Sequence, residues 1–230
     1  MSDWTVDRAH GSAAELHARP FPDPVVRTVW ALTVDRPALV LGSTQPDGVV
    51  DETAAGSAGV EVVRRRSGGG AVLLEPGGAT WIDVVVPATD PRWEADVGRS
   101  FRWLGEVWRA ALADLGVDGV VHRGPLVRTR WSSLLCFAGL GAGEVTVRAS
   151  AVPGGAQGAK VVGLAQRRTR AGARFQSAVV HRWSPATVAG LLALPPGERA
   201  ALEHDLAGAV AEVRATTDDV VAAFVAHLPA

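Results

Sequence analysis

The chain has 230 residues, enough for one sizeable core or a domain with a small appendage, and its 47% hydrophobic and 20% charged residues suit a soluble globular protein. A formal net charge of −1 leaves no basic excess to neutralise phosphates, which argues against a nucleic-acid partner. No apolar run reaches the ~20 residues that span a bilayer, and Asp3, Asp7 and Arg8 break the basic-then-apolar order of a signal peptide. Cys136 is the only cysteine and has no internal disulfide partner, so a cytoplasmic protein is expected, with no membrane or nucleic-acid partner.

In chain order, residues 1–24 are polar and broken by Pro20, Pro22 and Pro24, which predicts a partly ordered lead-in before a single domain over residues 25–230. Strands are predicted over 28–34, 38–42 and 60–65, with a short helix over 49–58 between the last two. Two more strands, 71–74 and 79–86, flank the turn Glu75-Pro76-Gly77-Gly78. Val97, Phe101, Leu104, Trp108, Ala111, Leu112 and Leu115 then fall at helical spacing, predicting one amphipathic helix over 93–115 that stops at Gly116. A second group of strands is predicted over 134–137, 145–149, 159–168 and 174–181, with a mobile connector over 153–158. Ser184-Pro185 reads as an N-cap followed by proline, and the tail is predicted helical, with the helical period clear over 216–228. Strands, a long helix, strands and then helices make a mixed α+β pattern rather than βαβ units.

Two local features carry chemistry. Lys160 is the only lysine among 23 basic residues, and a lysine is a compact, perturbable point charge where arginine is a permanent fork. Arg64-Arg65-Arg66-Ser67-Gly68-Gly69-Gly70-Ala71 places three arginines before three glycines, a pattern that brings backbone N–H groups and forked donors close to an anionic ligand. Taken alone, the same stretch also reads as a tight turn with solvated arginines. It is neither a Walker loop nor a dinucleotide fingerprint, because no Gly-Lys-Ser/Thr follows and the glycines are not spaced to open a helix.

Together, the loop at 62–72 and the segment Lys160-Val161-Val162-Gly163-Leu164-Ala165-Gln166-Arg167-Arg168 resemble the paired motifs of the biotin/lipoate A/B protein ligase superfamily. The strand 37–42 also resembles that family's first strand, and the likeness runs from about Val25 to His181. It implies a single α+β catalytic domain with a curved mixed β-sheet flanked by helices. It also implies that Arg65, Arg66, Ser67, Gly68, Gly69, Gly70, Ala71, Gly163, Ala165 and Gln176 bind an acyl-adenylate or thioester.

Ser133-Leu134-Leu135-Cys136-Phe137 resembles the Cys-Phe segment of the cysteine-dependent octanoyltransferases, which places the nucleophile on Cys136 and its activating, oxyanion-stabilising amine on Lys160. By itself Cys136 also fits a small buried hydrophobe. The transferase branch implies an acyl carrier protein as donor, a lysine of a lipoyl-domain protein as acceptor, and no cofactor. The ligase branch, of lipoate or biotin type, implies ATP and Mg, a free acid and an acyl-adenylate, with the same loop and lysine but without the cysteine. A non-catalytic acyl binder is the third reading.

This chain departs from the family at Leu73-Leu74-Glu75, where Tyr/His-His-Asp is usual, at Leu164 for serine, and at Gln176 for histidine. Gly143-Glu144 stands where the ligase branch often has Asn-Asp, which favours the transferase branch. Trp81, Trp103, Trp108 and Trp131 are expected in the core, Trp81 also as a wall of an acyl tunnel. No metal site is expected, since His122 and His181 lack ligand spacing.

Overall fold

β-Branched residues occur in every strand of the computed structural model, which describes residues 3–147 and 158–230. The strands are β1 (Thr5–Gly11), β2 (Thr28–Val34), β3 (Ala38–Leu41), β4 (Glu61–Arg64), β5 (Val72–Leu74), β6 (Ala79–Pro87), β7 (Gly119–Val121), β8 (Val145–Val147), β9 (Ala159–Arg168) and β10 (Gly172–Val180). The helices are α1 (Ala13–Ala18), α2 (Glu52–Ser57), α3 (Val97–Ser100), α4 (Arg102–Asp114), α5 (Pro185–Gly190), α6 (Pro196–Leu206) and α7 (Thr217–Ala226).

The fold is mixed α+β, as expected, with the strands divided between two sheets. The larger has the order β1-β2-β6-β10-β9-β8-β7, parallel between β1 and β2 and antiparallel elsewhere. The smaller has the order β4-β3-β5, with β3 parallel to β4 and antiparallel to β5.

The two-residue period of β6 separates the layers. Ile82 and Val84 join Phe175 and Val179 under α4 and α7, where Trp108 lies 4.5 Å from Phe224 between ring centroids. Trp81 and Val85 face the other way, packing with Leu16 of α1 and with Val40, Val63 and Leu74 of the small sheet. α4 buries Leu104, Val107, Trp108, Ala111 and Leu112, a single helical stripe. The second core layer therefore sits between the two sheets.

Three sequence expectations need correction, and one strand was missed. Residues 5–18 form β1 and α1 instead of a loose lead-in: β1 pairs with β2 along its full length, and Ser12 and Glu15 close a capping box on α1. The predicted helix over 93–115 starts later and is split, with α3 capped by Asp96 and α4 following Phe101. Residues 134–137 form no strand; only an isolated bridge from Leu135 to Ala71 precedes a short 3-10 turn, Cys136–Ala138. β7 was not expected, being only three residues long. Most of the connector predicted over 153–158 lies outside the described residues.

Candidate acyl site between the two sheets

Register places two rows of residues on one face of the large sheet. Gly163, Ala178, Trp81 and Leu32 lie side by side across β9, β10, β6 and β2, and Ala165, Gln176, Asp83 and Trp30 form the next row. Val40, Val72 and Leu74 of the small sheet face this surface across a cavity of about 420 Å³, with Arg65, Cys136 and Phe137 on its walls and His17 reaching in from α1.

The glycine loop and the cysteine are tied together through backbone. Ala71 N–H donates to Leu134 O at 2.7 Å, and Cys136 N–H donates to Ala71 O at 3.0 Å. A side chain at residue 70 would place its Cβ 2.5 Å from the Leu135 carbonyl carbon and 2.7 Å from Cys136 N, so only Gly70 permits this approach. Gln45 completes the clamp, its Nε2 donating to Ser133 O and Leu134 O, both at 3.0 Å. These bonds take the backbone groups that a strand over 134–137 would have given to a ladder. Cys136 itself is half-buried at the cavity wall.

Lys160 lies beneath that turn, 3% exposed. Its Nζ donates to Cys136 O at 2.8 Å and Gly139 O at 3.1 Å, and pairs with Glu144 Oε1 at 2.6 Å. Three acceptors occupy the three N–H groups of the ammonium. A ligand oxygen approaching Lys160 must displace one of them, and Lys160 is not on the cavity lining. Glu144 is equally committed, accepting from Leu164 N at 2.9 Å and Gly141 N at 2.6 Å. The Phe137 ring lies 5.1 Å from Nζ, and Gly163 makes room for it, since a Cβ there would sit 3.0 Å from that ring.

A polar network lies behind the cavity. Arg174 Nε donates to Asp83 Oδ2 at 2.5 Å, Trp81 Nε1 to Asp83 Oδ1 at 2.6 Å, and both Asp83 and Arg174 are at most 1% exposed. The other Arg174 nitrogens cap the carbonyls of Leu16, His17 and Arg19 at the end of α1. Gln176 Nε2 faces the Asp83 carboxylate at 3.5 Å and donates to His17 Nδ1 at 3.1 Å, while Ser67 Oγ donates to Gln176 Oε1 at 2.6 Å. Burial, with the Arg174 and Arg65 charges, pulls His17 down to about 3, so its ring is neutral at pH 7. Because Nδ1 accepts, Nε2 carries the proton, and that buried N–H has no partner.

Arg65 completes the picture. It is 4% exposed and donates to Val40 O, Gly68 O and Gly70 O, but its Nε–H is unpartnered and no carboxylate pairs with it among the described residues. Burial lowers its pKa from the ordinary value, which still leaves an arginine charged.

Of the residues singled out from sequence, Cys136, Arg65, Gly163, Ala165 and Gln176 meet at the cavity, while Ser67 supports Gln176 from behind. Gly70 and Ala71 hold the cysteine turn; exposed Arg66, Gly68 and Gly69 lie off the cavity lining. His17 was missed, as were the roles of Asp83 and Arg174; only α1's capping signature, Ser12 with Glu15, hinted at the helix that delivers His17. Among the described residues, no group of three or more His, Cys, Asp or Glu side chains forms a metal-holding cluster. No described helix is long and apolar enough to cross a membrane.

The sequence profile of the lipoyl protein ligase A/B catalytic domain matches residues 16–227. No curated protein matches. Among solved structures, the chain is similar to the bipartite lipoate protein ligase of Thermoplasma acidophilum, described with its E2 lipoyl domain: TM-score 0.72, 18% identity, covering 99% of this chain and 82% of that one. A T. acidophilum protein with bound lipoic acid follows at TM-score 0.70 and 18% identity, covering 98% of this chain and 84% of that one. A lipoate-protein ligase A bound with ATP gives TM-score 0.69 at 17% identity, over 98% of this chain and 84% of that one. At these identities the likeness is one of fold.

Proposed function

This chain belongs to the lipoyl protein ligase A/B catalytic-domain family, and on that premise we propose that it is a cytoplasmic acyltransferase working through a Cys136 thioester. It moves an octanoyl or lipoyl group from an acyl carrier protein to a lysine of a lipoyl-type domain. The observation that carries this reading is the bracketing of Cys136: the glycine loop takes its N–H, Lys160 takes its C=O, and its side chain borders the cavity.

In the first step the Cys136 thiol gives up its proton, its sulfur bonds to the acyl carbon, and the carrier's thiol leaves with a proton. In the second, the acceptor lysine's amine attacks the thioester, the amide forms, and the Cys136 thiol is restored. Arg65 Nε–H and His17 Nε2–H are free donors for the acyl oxygen and need displace nothing. Lys160 fixes the cysteine turn and keeps an ammonium beside it.

The alternative is an ATP-dependent ligase that forms an acyl-adenylate in the same cavity. Magnesium fits the present side chains poorly, because the oxygens of Glu144 and Asp83 are already committed to Lys160, Arg174, Trp81 and backbone N–H groups. The test is to mix the protein with a lipoyl domain and either octanoyl-carrier protein or free octanoate with ATP, following the domain's mass. Octanoylation from the carrier without ATP is expected. Octanoylation only with ATP and free acid selects the ligase, and none with either donor contradicts both enzymes.

A further inference from the structure

A second cavity, of about 730 Å³, opens between the β5–β6 turn, β2 and the start of α7. Among the described residues, only Trp81 and Leu74 line both it and the acyl cavity, and Cys136 touches the acyl cavity and not the second one. We propose that Trp81 and Leu74 form the end wall that sets the longest acyl chain this site takes, and that the second cavity is its latent extension. The proposal rests on the acyl reading of the first cavity and adds a length limit and the residues that impose it.

The wall is built to stay in place. Trp81 is 4% exposed, its indole N–H is held by Asp83 at 2.6 Å, and its ring lies 4.4 Å from that of His17. Asp83 is in turn fixed by Arg174 at 2.5 Å. Leu74 closes the remaining side from the last position of β5, itself 5% exposed. From Phe137, next to Cys136 and against Gly163, the lining runs across β9, β10 and β6 through Ala178 to Trp81, and along β5 from Val72 to Leu74; a chain that starts at Cys136 and follows either row meets these two side chains. Beyond them the surface turns polar, with Thr33, Glu75, Thr217 and the exposed Arg8–Asp218 pair around the second cavity. Trimming the wall therefore lengthens the apolar slot only as far as that polar region.

The experiment measures the affinity of the wild-type chain for hexanoate, octanoate, decanoate, dodecanoate and hexadecanoate by calorimetry, then repeats the series with Leu74→Ala and Trp81→Leu. Each buried methylene is worth about 0.8 kcal/mol, or about fourfold in affinity. In the wild type that climb should stop by dodecanoate. In Leu74→Ala, which leaves the Trp81–Asp83 bond intact, dodecanoate should gain about tenfold or more over octanoate relative to wild type. A wild-type series that keeps climbing to hexadecanoate overturns the wall, as does a cutoff unchanged in both folded variants. If no acid binds the wild type at any length, the same series is offered as acyl-carrier thioesters and read as the mass adduct on Cys136; no adduct at any length means the acyl reading itself fails, an outcome distinct from a misplaced wall.

Discussion

Behind the acyl cavity Arg174 meets Asp83 at 2.5 Å, and beneath the cysteine turn Lys160 meets Glu144 at 2.6 Å; on the cavity wall Arg65, equally buried, meets no carboxylate among the described residues. The first two charges have counter-ions from the chain and serve to hold β6, β9 and the cysteine turn. The third has only carbonyl oxygens and an unused Nε–H. A desolvated charge is costly unless something pairs with it. Arg65 lines the cavity together with Cys136, and under the proposed function its free Nε–H is the donor open to a ligand. Burial alone does not separate a structural cation from a functional one; the presence of a fixed counter-ion does.

The sharpest way to break this contrast is to delete the cations one at a time. Lys160→Met strands the Glu144 carboxylate and should cost about 3–5 kcal/mol in urea unfolding, the penalty for breaking a buried pair. Arg65→Met removes a charge that no carboxylate matches, and losing its carbonyl bonds should cost only about 1 kcal/mol net while abolishing acyl binding. Equal losses of stability in the two variants would erase the distinction.

A smaller effect comes from His17, which shares the cavity with Arg65. Its folded pKa is depressed to about 3 from 6.5, so its contribution is fully present above about pH 6.5 and is lost as pH falls toward 3. Between pH 7 and pH 5 the unfolded chain gains a proton that the folded chain refuses, and stability should drop by about 2 kcal/mol from this group. The measurement is the difference between wild type and His17→Gln across that range. A difference independent of pH contradicts a neutral, buried His17.

Much of this arrangement was legible in the residues. β2, β6 and β9 announce themselves by β-rich runs with turn signals beside them, and the glycine loop and Lys160 segment stand out as motifs. What those motifs touch was not legible. Glu144 stood where a metal-handling pair is usual in ligases, and nothing local showed that it would neutralise Lys160 from sixteen residues away in sequence. The apolar run 134–137 reads as a strand until Ala71 and Gln45, both distant in sequence, claim its backbone groups. α1 has six residues, too few for a helical period to declare itself, and its His17 acquires meaning only beside Gln176 and Trp81. The misses have two causes: a long-range contact overriding a local pattern at 134–137 and Glu144, and elements too short to show a period at α1 and β7.

The Cys136 thioester is tested most directly by incubating the protein with octanoyl-carrier protein, quenching in acid and weighing the intact chain. The expected result is a single octanoyl adduct that maps to Cys136, disappears on addition of a lipoyl domain, and is absent in Cys136→Ala. An adduct of the same size on Cys136→Ala, or octanoylation of the lipoyl domain by that variant at the wild-type rate, contradicts the mechanism.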